Sequence, residues 1–104
     1  MRASWRPAEP DRYARHRLIE WWDQDALSCA SVMVVGCGAL GSEVVRLLAL
    51  AGVGHVVVVD HDRIEMHNLT RGVFFRPGDM GRPKATVTAR RAAGLNPDMR
   101  IEPI

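Results

Sequence analysis

Two unbroken apolar runs, Val32–Val35 and Val56–Val59, dominate the first two thirds of the chain. Runs this short and this apolar suit strands of a parallel sheet covered on both faces. Between them, from about Ser42 to Ala51, Val44, Val45, Leu47, Leu48, Leu50 and Ala51 recur at helical spacing and form a broad stripe suited to covering that sheet. Gly52 and Gly54 end the helix, and the second strand runs from His55 to Asp60. Upstream, a helical segment is predicted from Asp11 to about Trp22, capped by Asp11 after Pro10, with Tyr13, Leu18, Ile19, Trp21 and Trp22 as its apolar contacts. Asp23 to Ser28 reads as a short second helix or turn that carries Leu27 onto the sheet. Downstream, Asp62 to Pro83 is a long connection, followed by a helix from Pro83 to Gly94 with the proline in its first turn. Asn96-Pro97-Asp98 makes a turn into a third strand, Met99–Ile104.

Composition narrows this picture. A chain of 104 residues forms one small domain or part of a larger one. Residues 1–10 read as a flexible leader and 11–104 as the folded unit. A hydrophobic share of 47% with 25% charged residues is that of a globular protein, and no apolar run is long enough to span a bilayer. The start, Met1-Arg2-Ala3-Ser4-Trp5-Arg6-Pro7, has no signal-peptide core, so the cytoplasm is the expected location. A net charge of +2 is too small to indicate nucleic acid. The arginines near the start, and Arg82, Lys84, Arg90 and Arg91 later, suit solvated helix faces. Cys29 and Cys37 lie in no C-x-x-C pair, so neither a zinc ligand set nor a redox pair is present.

The chemistry lies where the strands end. Gly36-Cys37-Gly38-Ala39-Leu40-Gly41 is a G-x-G-x-x-G turn placed between a strand and a helix. Gly36 allows the tight turn, Gly38 lets the backbone approach a phosphate, and Gly41 lets helix and strand pack closely. The amides at the helix start that this turn opens, with the helix dipole, make an anion site. Asp60, ending the second strand, is placed to accept hydrogen bonds from a ribose. Strand, glycine turn, helix, strand and acid in this order predict an α/β, Rossmann-like parallel sheet flanked by helices that binds a nucleotide. The connection adds Asp62, facing the same way as Asp60 in an extended run. It also adds Asn68 and Arg71, three apart and so on one face of a helical turn. Lys84, opening the next helix, can lean back over the same place. Two cations beside a ribose acceptor fit a triphosphate better than a dinucleotide.

At these residues the chain resembles the adenylyltransferases that activate ubiquitin-like proteins, the ThiF/MoeB/HesA group. The resemblance covers about residues 12–104, and it is carried by Arg12-Tyr13-Ala14-Arg15, the glycine turn, Ala51-Gly52-Val53-Gly54, Asp60-x-Asp62, Asn68-Leu69-x-Arg71 and Gly81-x-Pro83-Lys84. It implies a chain that binds ATP with Mg2+ and adenylates the C-terminal glycine of a ubiquitin-like or sulfur-carrier protein. In that frame Gly36, Gly38, Ala39, Gly41, Asp60, Asp62, Asn68, Arg71 and Lys84 hold the nucleotide, with Asp60 on the ribose. Arg71 and Lys84 serve the reaction as phosphate-side cations, and Arg15 reaches the nucleotide of a neighbouring subunit. The resemblance also implies that the family's magnesium aspartate follows a fourth strand. These 104 residues are therefore expected to be an amino-terminal part that does not turn over alone and holds no metal ligand of its own.

Two other readings share part of the pattern. An NAD(P)-dependent oxidoreductase domain would use the glycine turn and Asp60 but leaves Arg71 and Lys84 without a task. A non-catalytic nucleotide-binding module would keep the fold without turnover. A homodimer is expected in the leading reading, because a three-stranded sheet leaves an open edge and Trp21, Trp22, Phe74 and Phe75 add apolar area that a partner would cover.

Overall fold

A computed structural model describes residues 11–104. Three parallel strands, β1 (Ser31–Val35), β2 (His55–Val59) and β3 (Arg100–Pro103), form one sheet in the order β1-β2-β3. The register pairs Ser31 with His55 and His55 with Arg100, so all three strands begin level. Helix α1 (Gln24–Ser28) leads into β1, α2 (Ala39–Ala51) joins β1 to β2, and α3 (Lys84–Leu95) leads into β3.

Burial alternates along the strands: Val34, Val56 and Val58 are buried, whereas Met33 and Val35 are 62% and 76% exposed. Both α2 and α3 lie on the buried face and pack against each other. The expectation of strands covered on both faces is therefore corrected. Each step from β1 to β2 to β3 runs the same way, and right-handed crossovers taken in one direction place both helices on one side. The stripe expected on α2 is corrected too. Val45 and Ala49 are fully buried, while Val44, Leu47 and Leu50 face outward, as does Leu40. From Val44 to Ala51 every position of α2 but Arg46 is apolar, so hydrophobicity alone does not say which third of its circumference meets the sheet.

Other boundaries shift for local reasons. The segment before the sheet is helical in shorter pieces than Asp11–Trp22: a 3-10 turn at His16–Leu18, then α1. Side chains compete with the backbone there. The Asp11 carboxylate accepts the Tyr13 amide and pairs with Arg17, and the Gln24 side-chain oxygen accepts Trp22 Nε1 while sharing a 3.0 Å contact with His16 Nδ1. Asp23 caps α1 by accepting the Ala26 amide, and Leu27 packs against the core as expected. Helix α2 starts at Ala39, three residues before the Ser42 expected, and Gly52 closes it in the left-handed conformation. Pro83 caps α3 in extended conformation, so the helix begins at Lys84.

Phe74 and Phe75 are buried in the core beneath the long connection, which corrects their reading as exposed area; Trp21, at 81% exposure, keeps it. Their burial, with that of Ile64, roots the connection in the same core as the sheet. Asn96, fully buried after α3, donates to Tyr13 Oη and to the Ala49 carbonyl and ties the start of the fold to its end. No helix among the described residues is long and apolar enough to cross a membrane.

Candidate functional site

The glycine turn leaves β1 at its carboxyl end, where parallel α/β sheets hold ligands. Gly36 takes φ +98°, a region that residues with a Cβ avoid, and its amide donates to the Val59 carbonyl at 2.7 Å. Cys37 then turns inward and is fully buried. Burial pushes its thiol pKa up, so it stays protonated and apolar at neutral pH, as expected for a packing residue. Gly38 caps α2 without a side-chain partner, and an ideal Cβ built there meets nothing within 4 Å. The first helix amides, from Ala39 to Gly41, thus open onto free space at the positive end of the helix.

Asp60 follows β2 immediately and braces this turn. Its Oδ2 accepts the Cys37 amide at 2.8 Å, and its Oδ1 accepts the Asp62 amide at 2.7 Å. The second bond folds the chain back on itself, so Asp60 and Asp62 come together through a tight turn and not through the extended run expected. Donor atoms of Asp60, His61 and Asp62 lie within 4.8 Å of one another.

A second strap brings the far end of the connection to the same place. The Ile64 amide donates to the Arg82 carbonyl, Gly81 donates back to Ile64, and the Lys84 amide donates to the Asp62 carbonyl at 3.0 Å. Ile64, almost fully buried, anchors the strap. Lys84 therefore stands beside Asp62 although the whole of the connection separates them in the sequence. Asn68 sits in the 3-10 turn Met66–Thr70, where its Oδ1 accepts the Glu65 amide at 2.7 Å. Its amide nitrogen is left as the free donor.

These residues enclose two adjoining hollows that share Asp62. One, of about 170 Å3, is lined by Asp62, Arg63, Glu65, His67, Asn68 and Lys84. The other, of about 240 Å3, lies against Val35, Gly36, Val59 and Asp60. Gly36, Asp60, Asp62, Asn68 and Lys84 are thus brought together, whereas Gly38, Ala39 and Gly41 line neither hollow. Arg63 and His67 join them, and sequence spacing alone did not single them out. A larger cavity of about 440 Å3 lies by Arg17, Trp21 and Trp22, away from the glycine turn and all of these groups.

Arg71 and Arg15 line neither hollow. Arg71 follows the 3-10 turn with φ −146°, outside helical space, so it is exposed while Asn68 points inward. The expected shared face is therefore not formed. Arg15 is exposed just before the turn His16–Leu18. Among the described residues no carboxylate lies within ion-pair distance of Lys84, Arg71 or Arg15.

Sequence comparison places this arrangement in a family. Residues 11–104 match the ThiF family, and the chain belongs to it. It is 45% identical over 101 residues to a sulfur carrier protein adenylyltransferase of Thermus thermophilus, covering 94% of this chain and 37% of that protein. It is 44% identical over 86 residues to the human ubiquitin-like modifier-activating enzyme 7, covering 78% of this chain and 8% of that one. The fold superposes on Escherichia coli MccB crystallised with ATP, with a TM-score of 0.85, 35% identity, and coverage of 92% of this chain and 30% of that one. The chain thus spans about a third of the length of the bacterial relatives it matches.

Proposed function

We propose that this chain is the nucleotide-binding portion of an ATP-dependent adenylyltransferase that activates the C-terminal glycine of a ubiquitin-like or sulfur-carrier protein in the cytoplasm. The observation that carries the reading is the strap that sets Lys84, without a carboxylate partner among the described residues, against Asp62 and Asn68 at the mouth of the glycine turn. The turn amides and Lys84 face the phosphates, Asp60 the ribose, and Asn68 donates its amide. Arg71 lines neither hollow, and its part as a second phosphate-side cation rests on its place directly after the 3-10 turn that carries Asn68. In the reaction a carboxylate oxygen of the partner attacks the α-phosphorus, the bond to the bridging oxygen breaks, and pyrophosphate leaves. Charge grows on the α-phosphate oxygens and the leaving group, where positioned donors and cations stabilise it most.

Where no metal ligand was expected among these residues, the donor set offers magnesium one. Both Asp60 oxygens already accept backbone amides, whereas Asp62 meets only the exposed His61, at 3.4 Å. Mg2+ needs one or two carboxylates beside phosphate oxygens and water, so Asp62 would hold it, and the ion would neutralise phosphate charge when bound. A nicotinamide dinucleotide would use the turn and Asp60 equally well, but its pyrophosphate carries fewer charges than a triphosphate and leaves less for cations beyond the turn amides to neutralise.

Calorimetric titration with ATP and with NAD tests the reading: ATP is expected to bind more tightly, and tighter binding of NAD would overturn it. Lys84→Ala and Arg71→Ala should each weaken ATP more than AMP, by about 1.5–3 kcal/mol, the range for charge-assisted hydrogen bonds. Adenylation itself is read by exchange of labelled pyrophosphate into ATP that depends on the partner's terminal glycine. The 104 residues by themselves are expected to bind ATP without such exchange.

Self-association belongs to the same reading. Leu40, Leu47, Met33 and Val35 are large apolar side chains left more than half exposed, and the outer edge of β1 pairs with no strand among the described residues. Sedimentation at micromolar concentration is expected to show a dimer or larger species. In that assembly Arg15→Ala should weaken ATP binding without disturbing the fold; a well-folded monomer that binds ATP fully would remove Arg15 from the site.

A further inference from the structure

The connection between Arg71 and Lys84 contains no strand and no α-helix, only the 3-10 turn Pro77–Asp79, yet both proposed phosphate-side cations hang from its ends. One side chain from outside grips it at two points. Arg91, two turns along α3, donates through one guanidinium nitrogen to the Phe74 carbonyl at 2.7 Å and through the other to Asp79 Oδ1 at 2.9 Å. Asp79 is 3% exposed and completes the grip from within: its Oδ2 accepts the Arg76 amide at 2.9 Å, and its carbonyl accepts the Arg82 amide at 3.0 Å. From Phe74 the chain runs back through Gly72, whose amide donates to the Asn68 carbonyl, and so to Arg71. From Asp79 it runs forward through Arg82 to the strap that sets Lys84 on Asp62.

We infer that Arg91 and Asp79 are positioning residues for Arg71 and Lys84, fixing the connection from whose two ends these proposed phosphate-side cations extend. The inference rests on the ATP reading above and extends it to two residues that touch no substrate. The fork geometry of the guanidinium is what the site uses, because its two terminal nitrogens, held in one plane, each take one acceptor, the carbonyl and the carboxylate. Burial pushes the Asp79 carboxyl pKa up, but the Arg76 amide and the charges of Arg91 and Arg82 outweigh it and hold it below the ordinary carboxylate value, so the grip is ionic at neutral pH.

The test compares ATP and AMP affinities, by calorimetry on the purified chain, for the wild type, Arg91→Lys and Asp79→Asn. Wild type should prefer ATP over AMP; absence of that preference would overturn the ATP reading itself, and the inference with it. Arg91→Lys keeps the charge but cannot fork, and it should lose about tenfold in ATP affinity while AMP stays within about twofold. Asp79→Asn, which can still accept the Arg76 amide, should show the same split and guards against a lysine variant that fails to fold. A role in stability alone would lower the two affinities together or leave both unchanged, and either result overturns the inference while leaving the ATP reading intact. In a chain that already carries Arg71→Ala and Lys84→Ala, adding Arg91→Lys should change ATP affinity no further, because the grip acts through those two side chains. A further tenfold loss there would also overturn it.

Discussion

Gly41→Ala is expected to abolish the cooperative fold, and nucleotide binding with it. An alanine Cβ at this position would stand 1.7 Å from the Gly36 carbonyl oxygen and 2.8 Å from its carbon, both backbone atoms that cannot rotate aside. Helix α2 would have to lift from the turn, yet Val45 and Ala49 on the same helix are fully buried against the sheet. The cost is at least about 3 kcal/mol, the upper range for overpacking, against a total of about 5–15 kcal/mol for a domain. Urea unfolding of the two proteins measures it, and a midpoint unchanged from wild type would show that the helix can slide without cost. Gly38→Ala is the informative contrast. Its φ of −76° suits any residue and its Cβ would meet open space, so stability should fall by no more than about 1 kcal/mol, the scale of a changed helix cap. A large loss of ATP affinity in that variant then reports a ligand lying where the methyl group would be.

The two glycines illustrate what sequence spacing conveys. The roles of Gly36, Gly38 and Gly41 follow from their intervals because strand and helix geometry fix what each position faces. Asp60 is legible for the same reason, since the end of a strand is a defined place. The three strands and two long helices were readable from apolar runs and helical spacing, with boundary shifts of a few residues. What could not be read depends on contacts between distant segments. The outward turn of Val44, Leu47 and Leu50 is decided by where the sheet lies. The short pieces in place of one helix before α1 come from side-chain bonds to Gln24, which is buried against the Ala51 carbonyl. Arg91 reads in the sequence as part of a solvated helix face, because only the folded connection shows that it grips Asp79. Arg71 was placed with Asn68 by interval, and the departure of its backbone from helical space undid that placement.

Asp60→Ala should produce the other large effect, and it separates two roles that one carboxylate performs. Both oxygens accept backbone amides, and the Cys37 amide belongs to a fully buried residue. Removing the carboxylate leaves that donor without a partner, which costs about 1–3 kcal/mol of stability. On the proposed reading the ribose contact goes in the same step, and loss of its charge-assisted bonds should cost about 1.5–3 kcal/mol of affinity. Ribose is common to ATP and AMP, so the two affinities should fall by the same factor and their ratio should hold. That is the reverse of the split expected for Lys84→Ala, and the pair of variants divides the site into a ribose side and a phosphate side. Asp60→Asn should recover part of the stability, because its one oxygen can still accept one of the two amides, while its NH2 group faces the other. Calorimetry with both nucleotides, read beside thermal unfolding, gives each quantity separately. Lowered stability with unchanged affinity for both nucleotides would make Asp60 a brace for the glycine turn and remove it from the ribose.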